Sequence, residues 1–139
     1  MAETIAKNRN GAVDNHLVIT RGVMSLFDSW GLHSEEMMSL LDINGKPRHM
    51  IQYRHNKPLP INASTIKRIE YLVQINDALR TSYPTNPSMA KRWLRQRSHM
   101  FNQHTPLAMM MGEGERGMIY VLSRLDCTFA WDQSGSTSS

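Results

Sequence analysis

The feature that most constrains the fold is an apolar stripe at helical spacing between residues 62 and 84. Its members recur every three or four positions, at Ile66, Ile69, Leu72, Val73, Ile75 and Leu79. This spacing places them on one face of an α-helix that packs against a core. Asn62 or Ser64 is a suitable N-cap, and Pro84 ends the pattern. The stripe therefore predicts one long, half-buried helix.

The remainder of the chain repeats this pattern in shorter segments, separated by Gly, Pro and Asn-Gly. The spacing predicts helices over residues 18–30, 34–41, 47–55, 88–96, 106–111 and 115–125. Gly31 would stop the first of these, Ser34 would cap the second, and Thr105 followed by Pro106 would begin the helix over 106–111. Alternating runs of Val, Ile and Thr, which are typical of strands, are missing. We therefore expect an all-α fold, a small helical bundle with an N-terminal helix-turn-helix and a C-terminal helical module.

The 139 residues fit one domain or two very small ones. The pattern predicts a flexible leader over residues 1–15, a helix-turn-helix region over 16–83, a C-terminal module over 84–131 and a disordered, Ser-rich tail over 132–139. A division near residues 83–87 and a core shared by both halves are both compatible with this pattern.

The net charge of +4 is unevenly distributed. No Asp or Glu occurs between Ile43 and Ile69, or between Ala78 and Gly112, although Lys and Arg are frequent in both stretches. A surface field of one sign attracts polyanions or an acidic protein partner.

Two short predicted helices, Ser34–Leu41 and residues 47–55, flank an Asn-Gly turn, and the second helix is basic. This arrangement suits a helix-turn-helix whose second helix enters the DNA major groove. Lys46 and Lys57 would lie near phosphates, and the groove-facing set would be Arg48, His49, Gln52, Tyr53 and Arg54. Met50 and Ile51 would turn inward. The alternative is an ordinary helical domain with solvated charges.

The sequence offers little support for catalysis. Its His residues lack the spacing of a helical metal pair, and no nucleophile motif surrounds the single cysteine, Cys127. We expect no metal, no cofactor and no enzymatic activity. The absence of a long apolar run and of an apolar signal core, with one cysteine, predicts a soluble, cytoplasmic protein.

Four C-terminal segments carry a resemblance to a known family. They are residues 75–80 (INDALR), 90–94 (AKRWL), 105–110 (TPLAMM) and 120–126 (YVLSRLD). Together they resemble the toxin-binding domain of the Xre/MbcA/ParS antitoxin family. The similarity continues upstream, from about residue 24 to residue 69, into the family's Xre-like helix-turn-helix.

The resemblance implies a type II antitoxin that pairs with a RES-domain toxin, an NAD-consuming enzyme. The antitoxin would cover the toxin's active site and, as a homodimer bound to operator DNA, repress its own operon. Trp93 and Leu94 would be core residues, and Pro106, Leu107 and Met110 would shape the module. The residues nearest the toxin would be Arg116, Tyr120, Arg124, Asp126 and Trp131.

Two other functions are compatible with the same residues. One is a stand-alone transcription regulator whose C-terminal module only dimerises. The other is a protein-interaction adaptor that has lost DNA binding.

Overall fold

The computed structural model describes the backbone of residues 2–86 and 88–125 and the side chains of residues 15–86 and 88–125. Its helices are α1 (Ala2–Ser29), α2 (Ser34–Leu41), a 3₁₀-helix (Pro47–Arg54), α3 (Ala63–Ser82), α4 (Ser88–Leu94), a short 3₁₀ turn (His99–Phe101), α5 (Pro106–Glu113) and α6, which is described over residues 115–125. The described residues contain no strand, so the all-α prediction is confirmed. None of the described helices combines the length and the apolarity that a membrane span requires.

Helix α1 ends at Gly31, as the sequence predicts. Gly31 has a φ of +66°, and its N–H donates to the carbonyl of Asp28 while the next N–H, of Leu32, donates to Phe27. These two bonds form a Schellman motif, which needs a left-handed residue where glycine is favoured. The last turn of α1 buries Trp30 completely, and its indole N–H donates to Asn76 Oδ1 of α3 at 3.1 Å.

The N-cap of helix α2 lies one residue earlier than predicted. It is His33, whose backbone N–H donates to Glu36 Oε1 at 2.8 Å, so the prediction of Ser34 as the cap is wrong. The carboxylate of Glu36 satisfies a backbone donor at the start of the helix, as in a capping box. Asp42 ends α2 in the left-handed conformation, with a φ of +56°.

The second helix of the predicted helix-turn-helix is a 3₁₀-helix rather than an α-helix. Its two buried residues, Met50 and Tyr53, are three positions apart, which matches the three-residue turn of a 3₁₀-helix. The predicted inward side chain of Ile51 is 59% exposed, and the predicted groove-facing Tyr53 is buried. Both predictions were wrong because they assumed an α-helix, which has 3.6 residues per turn.

The connection from the 3₁₀-helix to α3 is held against α1 by Thr20. This buried hydroxyl donates to the carbonyl of His16 and accepts from the N–H of Leu59 at 2.9 Å. Leu59 is buried although it lies in a proline-rich segment. Helix α3 then begins at the predicted cap, since Asn62 Oδ1 accepts from the Thr65 N–H at 2.9 Å.

Helices α5 and α6 approach each other closely at glycines. A Cβ on Gly117 of α6 would collide with the backbone of Met109, and Gly114, with a φ of +62°, lies against the guanidinium of Arg68. Arg68 in turn donates to the carbonyl of Leu40 at 3.1 Å. The contact of α6 with α5 at Gly117 and the contact of Arg68 with the α5–α6 turn at Gly114 therefore each depend on the absence of a side chain.

A single cluster of buried side chains includes members from α1 to α6. Of the two organisations compatible with the sequence, the structure shows the shared core. Residues 2–15, predicted as a flexible leader, form the first half of α1. They contain no proline, and each residue that extends an existing helix adds a backbone hydrogen bond. The predicted tail over residues 132–139 lies outside the described residues.

Arg95, after α4, joins the C-terminal half to the N-terminal half. Its guanidinium donates to both carboxylate oxygens of Glu36, at 2.7 and 3.0 Å, and to the carbonyl of Gly31 at 2.9 Å. Burial raises the pKa of Glu36, but the bonds from Arg95 and from the His33 N–H, with the charge of Arg95, outweigh it. The pKa of Glu36 is therefore lowered from its ordinary value of 4.5.

We expect Arg95→Ala to lower the free energy of unfolding by about 1 kcal/mol at neutral pH, because this ion pair is only partly buried. Since the pKa of Glu36 is lowered by folding, this stabilisation is complete above pH 4.5 and is lost as the pH falls through the pKa of the folded state. Urea unfolding of both proteins from pH 7 to pH 3 measures the difference. Arg97→Ala is the control, because Arg97 forms no ion pair with any residue described; an equal loss in both variants would contradict the assignment.

We expect Gly117→Ala to cost about 1–3 kcal/mol of folding free energy, because the added methyl group meets backbone atoms of α5 that cannot move aside cheaply. The matched control is Gly112→Ala. A Cβ at Gly112 has no neighbour within 4 Å, so alanine there should stabilise the helix by up to about 1 kcal/mol. Thermal unfolding measures the stability of the two variants. Equal changes in stability would show that the close approach of α5 and α6 at Gly117 does not restrict this position.

Candidate functional site

The C-terminal module is organised around Phe101, which is fully buried. The ring of Trp93 in α4 meets Phe101 edge-on with ring centroids 5.9 Å apart, and the ring of Tyr120 in α6 meets it similarly at 5.7 Å. Edge-to-face pairs of this kind orient rings as well as burying area. The 3₁₀ turn that carries Phe101 therefore connects α4 with α6.

The loop between α4 and α5 is held by main-chain bonds rather than by packing alone. The N–H of Ser98 donates to the carbonyl of His104 at 3.2 Å, and the Gln103 N–H donates to the carbonyl of Ser98 at 2.9 Å. Asn102 and Gln103 have positive φ values of 54° and 67°, which place them in the left-handed region. This compact loop fixes the direction in which α5 begins.

Helix α5 begins as the sequence predicts, with a threonine cap and a proline at the first position. Thr105 Oγ1 accepts from the Ala108 N–H at 3.0 Å. The residues that the resemblance implies as core or module-shaping lie in or next to the interior. Leu94, Pro106, Leu107 and Met110 are buried, whereas Trp93 is half-buried.

The predicted toxin-facing residues of α6 share one side of that helix. Arg116, Tyr120 and Arg124 follow one another at four-residue spacing. Tyr120 donates its hydroxyl proton to the carbonyl of Met100 at 2.8 Å, and Arg124 donates to the Tyr120 oxygen at 3.1 Å, with its guanidinium carbon 5.0 Å from the ring centre. The structure thus brings these three together, whereas Asp126 and Trp131 lie outside the described residues.

Two exposed apolar residues extend this side of the module. Ile119 is 47% exposed next to Tyr120, and Met100 is 39% exposed above the Tyr120 hydroxyl. The sequence analysis did not single out either residue. The sequence did contain a signal for Ile119, because this residue does not lie on the helix face formed by the buried residues Met118, Val121 and Leu125. We call Met100, Arg116, Ile119, Tyr120 and Arg124 the α6 face.

The predicted DNA-contacting residues lie on and around the 3₁₀-helix, in different environments. Lys46, Arg48 and His49 are exposed. Arg54, by contrast, forms a bidentate ion pair with Asp28 of α1 at 2.6 and 2.7 Å, and the hydrogen bonds from Arg54 lower the pKa of Asp28. Lys57 donates to Gln52 Oε1 at 3.0 Å.

With Tyr53 buried, the predicted DNA-contacting set divides into two parts. Three side chains point to solvent without a partner described here, and three others, those of Gln52, Arg54 and Lys57, already have partners within the protein.

Within the described part of the chain, no group of three or more His, Cys, Asp or Glu side chains is close enough together to hold a metal ion.

Comparison with known protein families gives one finding. Residues 78–127 match the model of the antitoxin Xre/MbcA/ParS C-terminal toxin-binding domain. No match was found among curated proteins. The matched segment, about a third of the chain, contains the aromatic group around Phe101 and all of the α6 face. The resemblance is thereby confirmed for this part of the chain, and residues 78–127 support an antitoxin role through binding of a toxin protein.

Proposed function

We propose that this protein is the antitoxin of a type II toxin–antitoxin pair, and that it neutralises a RES-domain, NAD-consuming toxin by covering the entrance to its active site. The observation that carries the proposal is the match of residues 78–127 to a toxin-binding antitoxin domain. No catalytic group is needed for this function, since occlusion requires only a stable interface.

The composition of the α6 face supports a protein partner. It combines two exposed apolar side chains, Ile119 and Met100, with the cations Arg116 and Arg124. Interfaces typically combine an apolar or aromatic centre with a charged rim, and arginine and tyrosine are frequent among the residues that dominate binding energy. The two cations suit a toxin surface with negative charge around its active-site entrance.

The side chain of Tyr120, within the α6 face, is held in place before any partner binds. Tyr120 is fixed by its hydrogen bond to Met100 and by its ring contact with Phe101. Ordering flexible side chains at an interface costs free energy, so a preorganised tyrosine contributes more to affinity. Trp131 and Asp126, from the segment after α6, complete the proposed contact surface.

We expect Ile119→Glu to weaken toxin binding by about a hundredfold or more, because it places a charge at an apolar position of the proposed interface. Growth and cellular NAD, measured during co-expression with the RES toxin, report neutralisation. The control is Ile51→Glu, on the 3₁₀-helix, where a similarly exposed isoleucine is replaced.

Truncation after Leu125 should abolish neutralisation and leave DNA binding intact. Protection of cells from the toxin by the truncated protein would contradict occlusion by the tail.

We further propose that the protein represses its own operon, with α2 and the 3₁₀-helix forming the DNA-binding element of a homodimer. The supporting observations are the exposed cations Lys46 and Arg48 and the absence of acidic residues between Ile43 and Ile69. A two-fold symmetric reader matches the palindromic operators that such elements bind.

We expect Arg48→Ala to weaken binding to the operator by about tenfold, because it removes an exposed cation of the proposed groove-facing set. The comparison variant is Arg54→Ala. It should have a smaller effect on DNA affinity, because Arg54 is paired with Asp28. Fluorescence anisotropy across a salt series measures the operator affinity of both variants. Wild-type protein that is folded but does not bind DNA at low salt would remove the autorepressor proposal.

That negative result would favour the adaptor function, for which the internal pairing of Arg54 and Lys57 is the supporting observation. Operator binding without any toxin binding would favour the stand-alone regulator instead.

A further inference from the structure

A groove of about 690 Å³ runs between α1 and α3 toward the start of α4. Its floor is apolar, formed by Ile19, Val23, Leu26, Ile69 and Val73. A neighbouring depression along α3 shares three of these residues and adds Ile66 and Glu70. The two together form one continuous surface, which we call the α1–α3 groove.

Two exposed large apolar side chains of α3 line this groove. Val73 is 43% exposed and Ile66 is 42% exposed. They lie about two helical turns apart on one face of α3, where they form a ridge. Exposed apolar groups gathered at one concave surface indicate an interaction site, whereas isolated ones do not.

The α1 side of the groove allows close approach. A Cβ on Gly22 would have no neighbour within 4 Å, so there is open space above the helix at this point. Ser25 and Ser29 follow Gly22 along the same side of the groove. A ridge of larger side chains, such as Ile66 and Val73, fits a groove between helices whose wall is built of small residues.

The charges on the rim indicate what could occupy the groove. Glu70 lines one end and Arg80 the other, about three helical turns apart on α3, and Asp77 lies between them. Neither Glu70 nor Arg80 forms an ion pair with any residue in the described ranges. Two copies of α3, placed antiparallel about an axis level with Ile75, bring Glu70 of each copy opposite Arg80 of the other and Asp77 opposite Val73. Glu70 and Arg80 are therefore complementary in charge across the axis, while Asp77 lies one helical turn from Arg80 of its own helix.

We propose that the α1–α3 groove is the homodimer interface of this protein, with two α3 helices antiparallel and the Ile66–Val73 ridge of each copy seated in the groove of the other. Such an isologous contact uses the same patch twice and closes the assembly at two copies. The groove is formed mainly by residues before position 78, so dimerisation leaves the α6 face open for a toxin.

This inference deepens the dimer of the proposed function, and its test needs neither toxin nor DNA. Sedimentation equilibrium of the full chain across a concentration series gives the oligomeric state and the dimer dissociation constant. We expect wild-type protein to be dimeric and Val73→Glu to raise the dissociation constant by about a hundredfold or more, because it places two carboxylates at an apolar contact. Ile51→Glu, the control on the 3₁₀-helix, should leave the dimer unchanged.

Charge exchange tests the antiparallel arrangement independently of any effect on folding. Glu70→Arg and Arg80→Glu should each weaken the dimer by about tenfold, and the double variant should restore it. Additive weakening in the double variant would overturn the antiparallel arrangement. A wild-type monomer, or a dimer unaffected by Val73→Glu, would overturn the interface. If the protein is a monomer that neutralises its toxin, this interface is wrong and the antitoxin proposal is retained. If it is a dimer that does not neutralise a toxin, the antitoxin proposal is wrong and this interface is retained.

Discussion

The burial of Trp30 at the end of α1 is the interaction on which the other parts depend. A fully buried indole needs a partner for its N–H, and Asn76 of α3 supplies one, so the largest side chain of the core also fixes how α1 crosses α3. The next residue, Gly31, turns the chain in a left-handed conformation and presents its carbonyl to Arg95. The N-terminal and C-terminal halves therefore meet at one short segment.

This junction makes the protein one structural unit although its two proposed functions belong to different halves. The side chains of Arg95 and Arg68 each reach from a later helix to the α2 region, through Glu36 and through the carbonyl of Leu40. A shared core of this kind holds the α6 face and the 3₁₀-helix in a fixed relative position. The proposed toxin surface, the proposed DNA surface and the proposed dimer groove are formed by different residues of this one structural unit.

Local signals account for the parts of the fold that the sequence predicted well. The Asn62 cap, the Thr105-Pro106 start of α5 and the Gly31 stop each act within a few residues, so no distant part of the chain is needed to interpret them. The internal positions of the C-terminal module were expected from the family resemblance. The 3₁₀-helix was not predicted, because its inward side is chosen by what packs beneath it rather than by its own sequence. Tyr53 was for that reason assigned to the wrong side.

The sequence alone determined an all-helical chain, the limits of most helices and the similarity of residues 78–127 to a toxin-binding antitoxin domain. Only the tertiary structure decided which charged side chains remain available to contact a partner. Arg54 and Arg48 are indistinguishable in sequence, yet one is paired with Asp28 and the other is exposed. It also placed Ile66 and Val73 of α3 beside Ile19 and Val23 of α1 along one groove. The physical reason is that ion pairs and apolar surfaces are formed between residues distant in sequence, whose proximity no local pattern encodes.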